Sequence, residues 1–167
     1  MKKAILFINL LLLVSAAKGV VLNTEIKMIS PDGHISAEIS QRDGHLFYTV
    51  KAGQQLLINN GTMGLVIDGI AYGSRVNSLS ILAKRTASMG NKVYHIYTLL
   101  LEEAGRKYNM EFRLSNEGTA FRYIFDSKTE QYVTKELTAF VLPKSRVWFF
   151  ERNSAWKLKS YAKYHGR

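Results

Sequence analysis

Ser30-Pro31-Asp32-Gly33-His34-Ile35-Ser36-Ala37-Glu38-Ile39-Ser40-Gln41-Arg42-Asp43-Gly44-His45-Leu46-Phe47-Tyr48-Thr49-Val50 reads as turn, strand, turn, strand, and decides the fold class. Pro31 is preset for a turn corner and Gly33 is free to take a positive φ. His34 to Ser40 then alternates, with Ile35, Ala37 and Ile39 on one face. Arg42-Asp43-Gly44-His45 is a hairpin signal that leads into the Leu46–Val50 strand. Upstream, Glu25 to Ile29 alternates too, so the three segments form a meander.

The same grammar continues downstream. Gln55 to Ile58 is a short strand, and Asn59-Asn60-Gly61 reads as the turn that ends it. Gly64 to Ile67 runs into Asp68-Gly69, and a polar stretch follows around Gly73 to Ser80. Lys92 to Glu103 is the longest strand candidate, with Val93, His95, Tyr97, Leu99 and Leu101 on one side; its β-branched and aromatic content favours strand over helix. Gly105 turns the chain into Tyr108–Leu114, and Asn116-Glu117-Gly118 turns it into Ala120–Phe125. Tyr132 to Leu142 reads as one long strand or two short ones, and Arg146 to Phe150 as a compact aromatic strand. About ten strands at regular spacing, with no amphipathic helix, predict an all-β antiparallel sandwich. An outer-membrane barrel is the weaker alternative, because most segments are too short to cross a bilayer as strands.

Composition agrees. Of the 167 residues, 47% are hydrophobic and 22% charged, enough apolar material for one domain with a core. Nine Tyr and eight Phe against two Pro favour strands. Residues 1–19 differ from the rest: Lys2 and Lys3, an apolar run from Ala4 to Val14, then Ser15-Ala16-Ala17. This is the pattern of a cleavable signal peptide, a helix too short to span a bilayer, which needs roughly 20 apolar residues. Residues 20–167 are then the mature domain. The chain contains no Cys, so a lipid-modified N-terminus, thiolate metal sites and Cys nucleophiles are excluded. A periplasmic or secreted location is expected.

The formal charge is +10. Export argues against nucleic acid as the basic surface's partner. Bases crowd the segment from Lys144 onward, against Glu151 as its one acid, and a solvated terminal stretch accounts for that more simply than a binding patch.

Chemistry-bearing motifs are scarce. His34, His45, His95 and His165 are scattered and lack metal-ligand spacing. No nucleophile elbow, P-loop or dinucleotide fingerprint occurs. Glu102 and Glu103 are adjacent, so in a strand they point to opposite faces, and they are expected to flank a turn in solvent. Glu111 and Glu117 carry no mark of a tuned acid or base. Trp148, Glu151, Asn153 and Trp156 are the candidate contact residues: indole faces stack on sugar rings, and carboxylate and amide groups bond hydroxyls. The competing reading, a core plus an interdomain contact, is the commoner fate of large aromatics.

Phe112-Arg113-Leu114-Ser115-Asn116-Glu117-Gly118-Thr119-Ala120-Phe121-Arg122-Tyr123 resembles the most specific run of the N-terminal domain of glycoside hydrolase family 97, known from Bacteroides-type α-glucosidases and α-galactosidases. Ser30-Pro31-Asp32-Gly33, Leu46 to Val50, Met63 to Gly69, Glu136-Leu137-Thr138 with Phe140, and the Trp148 region are similar to it in order. The resemblance implies a mutarotase-like supersandwich packed against a (β/α)₈ barrel. The barrel supplies the catalytic groups and most ligands of a calcium ion. The sequence stops at Arg167, so the sandwich is expected to be incomplete and the barrel absent. The family's N-terminal domain also contributes an active-site glutamate that cannot be placed here, since Ser160 to Tyr164 contains no acid. The implied role is therefore non-catalytic, with no cofactor in this chain. The implied partners are the barrel and an α-glucoside or α-galactoside. A stand-alone carbohydrate-binding module and a structural module docking a separately encoded barrel are the other two readings.

Overall fold

A computed structural model describes residues 24–143, 146–152 and 158–165. Residues 1–19, expected from the sequence to be a signal peptide, lie outside them. The described residues form thirteen strands and no helix, so none of them builds a helix able to cross a membrane.

The first sheet is the expected meander, extended by one strand: β1 (Thr24–Ile29), β2 (Ile35–Arg42), β3 (His45–Ala52) and β4 (Gln55–Met63), in that order. The β2–β3 loop is Asp43-Gly44, with φ of 50° and 80°. Both values are positive, as a two-residue loop matched to strand twist requires, which is why Asp-Gly occupies it. After the short strands β5 (Leu65–Ile67) and β6 (Ile70–Tyr72) comes a second meander: β7 (Val76–Met89), β8 (Lys92–Glu103), β9 (Arg106–Ser115) and β10 (Gly118–Ile124). A third sheet places β11 (Val133–Glu136) beside β5 and β6, and β12 (Arg146–Arg152) pairs with β13 (Leu158–His165) as a hairpin.

The two meanders face each other across one core. Alternation sends Ile26, Met28, Ala37, Ile39, Leu46 and Tyr48 inward from the first sheet, and Leu99, Leu101, Met110, Phe112 and Leu114 from the second. Each fully buried Leu, Ile, Met or Phe side chain among them contributes about 1.5–3 kcal/mol. Tyr97 ties the sheets at one edge, its hydroxyl accepting from the Ile29 amide at 3.2 Å. At the other side the aromatic rings of Tyr48, Phe121, Tyr123, Phe125, Tyr72 and Tyr108 form a continuous chain of edge and stacked contacts. The antiparallel all-β sandwich read from the sequence is the fold.

Three local expectations are corrected. Asn59-Asn60-Gly61 is no turn: β4 runs straight through it as a bulge opposite Thr49, with Asn60 at φ 52° and its amide donating to the Thr49 hydroxyl. Gly61 is required there by space, since a Cβ would lie 2.4 Å from the Ala139 carbonyl oxygen and 2.6 Å from the Tyr48 ring. The polar stretch from Gly73 to Ser80 opens a 14-residue strand, β7, which lies along the edge of the second meander. Only Val133–Glu136 of the Tyr132–Leu142 segment forms a regular strand. The rest follows β4 and β5 as an irregular strap, with bonds from Leu137 N to Gly64 O at 2.9 Å, Ala139 N to Thr62 O at 3.0 Å and Asn59 N to Val141 O at 2.8 Å.

Candidate functional site

Two of the four sequence-predicted contact residues fall on the last hairpin. Trp148 and Glu151 lie in β12, where the backbone register pairs them with Lys163 and Ser160. Asn153 and Trp156 lie outside the described residues. The structure therefore brings Trp148 and Glu151 onto one strand and does not bear on the four as a group. His95 sits on β8, between β7 and β9, with its Nδ1 2.9 Å from the Ile29 carbonyl oxygen, a structural contact.

Two carboxylates that sequence reasoning set aside turn out to be buried. Glu103 is only 3% exposed, against the expectation that it flanks a turn in solvent. It shares the inward face of β8 with Leu99 and Leu101. Its Oε2 accepts from the Gly73 amide at 2.6 Å, and its Oε1 from the Ser74 and Arg75 amides at 3.1 and 2.5 Å. The Tyr108 hydroxyl donates to it at 3.4 Å. Burial, with this carboxylate beside it, pushes the Tyr108 phenol well above its ordinary range. The segment that Glu103 holds is the crossover between sheets, whose other side bonds to the β2–β3 hairpin through Leu46 N to Gly73 O at 3.1 Å and Val76 N to Gly44 O at 2.8 Å. A carboxylate so fully engaged by backbone amides anchors a loop, and it has little acceptor capacity left for a substrate.

Glu111 is 6% exposed but faces outward from β9. Arg113 Nε bonds its Oε1 at 2.8 Å, Arg122 Nη2 lies 3.1 Å from the same oxygen, and Arg85 Nη2 lies 3.7 Å from Oε2. The register explains the convergence: Arg122 stands directly opposite Glu111 on β10, and Arg85 and Arg113 lie in one row across Ile96. An open depression of about 220 Å³ lies beside them, lined by Glu111, Arg113, Ala120, Phe121 and Arg122. The signal that could have found this cluster was the alternation itself, which places Glu111 and Arg113 on one face and Met110, Phe112 and Leu114 on the other.

Glu103 and Glu111 thus lie on opposite faces of one sheet and cannot flank a shared bond as a glycosidase's two carboxyl groups do. No group of three or more potential metal ligands occurs among the described residues.

Solved structures share this fold. A β-arabinopyranosidase matches with a TM-score of 0.63 and 19% identity over 77% of this chain and 23% of its own. A Glycoside Hydrolase Family 97 enzyme from Pseudoalteromonas sp. strain K8, solved in complex with panose and with acarbose, matches with a TM-score of 0.55 and 18% identity over 77% of this chain. The chain therefore spans less than a quarter of the length of these structures, 22–23%. No curated protein matches it. The family model for the glycosyl-hydrolase 97 N-terminal domain matches residues 28–165, most of the chain. By that match, this chain belongs to the glycosyl-hydrolase 97 N-terminal family.

Proposed function

We propose that the chain is the opening part of the non-catalytic N-terminal domain of an exported family 97 glycoside hydrolase, and that its sandwich supports and docks a (β/α)₈ catalytic barrel. The observation that carries this is the family match over residues 28–165, set against relatives of which the chain spans 22–23%. The buried carboxylates support the same reading. Glu103 is committed to backbone amides and Glu111 to arginines, and a sheet separates them. Export rests on the leader pattern of residues 1–19. Calcium belongs, on this reading, to the assembled enzyme, with the barrel providing most ligands. An α-glucoside or α-galactoside is the substrate class, and the panose complex of a relative favours the glucoside.

Trp148, Glu151, Asn153 and Trp156 are the residues proposed to meet sugar or barrel. The test is direct. The purified chain should release no nitrophenolate from nitrophenyl α-glucoside or α-galactoside above a boiled control. Turnover that co-elutes with the folded chain through a second column would overturn the non-catalytic assignment. Calorimetry with panose examines the sugar contact separately, and heat that persists in the Trp148→Ala and Trp156→Ala variants would remove those residues from it.

A further inference from the structure

The outward face of the second meander carries the densest charge cluster among the described side chains. Arg85, Arg113 and Arg122 surround the single carboxylate of Glu111. Three guanidinium charges against one carboxylate leave two positive charges in excess. Most of the donors are also unspent. A guanidinium offers five N–H groups in a fixed fork. Arg85 and Arg122 meet Glu111 only as ion pairs, and both remain more than half exposed, at 56% and 60%. Sheet register keeps the forks on one face, with a small residue at the end of each row: Ala83 stands in the row of Thr98, Glu111 and Arg122, and Ala120 in the row of Arg85, Ile96 and Arg113. The open depression of about 220 Å³ next to Arg122 is lined by Ala120 and Phe121 together with Glu111 and Arg113. Tyr94, half-buried and two residues along β8 from Ile96, places an aromatic side chain on the same outward face, opposite Ala87.

We propose that this face is a binding site for an acidic saccharide, a glycan chain whose uronate carboxylates bridge Arg85 and Arg122 over Glu111. Planar carboxylates match guanidinium forks two bonds at a time. A shallow, open depression with Ala120 and Phe121 in its lining suits the flat C–H face of a sugar ring. The proposal stands apart from the docking role. A silent nitrophenyl assay leaves it untouched, and its failure leaves the docking role untouched.

The experiment titrates the full chain with trigalacturonate, with panose as the neutral saccharide and poly-glutamate as the acidic polypeptide. Trigalacturonate should bind, and weaken steeply as salt rises from about 50 to about 500 mM. Arg85→Gln and Arg122→Gln should each weaken it by about tenfold, and Arg122→Lys should fall between, because it keeps the charge and loses the fork. Far-UV spectra and melting curves confirm that each variant is folded, and Arg85→Gln, whose partner is 3.7 Å away, is the mildest of them. Three results overturn the proposal: no binding of trigalacturonate, binding that the arginine variants leave unchanged, or equal binding of panose. Tighter binding of poly-glutamate would assign the face to an acidic protein and overturn it as well.

Discussion

Glu103 joins three consecutive amides of the intersheet crossover, so its loss strands donors in a buried site. Each amide bond to a charged acceptor is worth about 1.5–3 kcal/mol, and orphaned buried donors add their own penalty. Glu103→Ala should therefore cost about 3–5 kcal/mol in urea unfolding, while Glu102→Ala, half-exposed on the other face, should stay within about 0.5 kcal/mol. Tyr48 presents the opposite case. Its hydroxyl is buried with no partner among the described residues. Tyr48→Phe should be neutral to about 1 kcal/mol stabilising. Burial pushes the Tyr48 and Tyr123 phenols up to about 12 from the ordinary 10.0. The unfolded chain releases those protons near pH 10, the folded one only near 12. Between these values the unfolded state binds fewer protons, so stability falls as pH rises through that window and is intact below it. Equilibrium unfolding across pH 9 to 12 should show this decline, shallower in Tyr48→Phe.

Among the elements, two hairpins and one bulge show where local chemistry and fold agree or conflict. Ala104 opens the β8–β9 loop at φ 49°, a conformation costing an alanine about 1 kcal/mol. Ala104→Gly should return that amount as a higher melting temperature. Gly61→Ala should do the reverse and cost about 1–3 kcal/mol, because the new methyl meets the Ala139 carbonyl and the Tyr48 ring. These elements also show what the sequence made legible. The first meander could be read because its alternation and its Asp-Gly turn point the same way. Asn59-Asn60-Gly61 has turn composition but bulge geometry, since the strap behind it needs a close approach at Gly61 that no local rule reveals. β7 was hidden by its composition: as an edge strand it buries only Val76 and Leu79 in the core, so serines, lysine and arginine replace the usual apolar alternation. Glu103 was misread because it adjoins the Ala104-Gly105 turn, although its parity with Leu99 and Leu101 already placed it inward. The Glu111 cluster needed the register of three strands before its arginines could meet.

At the scale of the whole molecule, the sandwich leaves apolar side chains at both margins. Ile81 and Leu82 on β7 are 50% and 57% exposed, with a bulge between Ile81 and Ala83, and Tyr132 and Phe140 on the strap are 63% and 64% exposed. Unpaired apolar edges invite pairing with a second chain. Leu82→Lys should therefore raise the monomeric fraction seen by light scattering without altering the melt. The strap carries a further consequence. Both meanders are built from neighbours in sequence, whereas Leu137 bonds back to the Thr62 hydroxyl across a separation of 75 residues. Contacts between sequence neighbours close early, and such a distant return pays its loop entropy last. The strap should dock after the rate-limiting barrier, as a latch fastened on an already collapsed body. Leu137→Ala should then hasten unfolding in stopped-flow and leave the refolding rate unchanged. The lifetime of the folded chain would be set by its last-docked segment, and its speed of folding by the two meanders beneath.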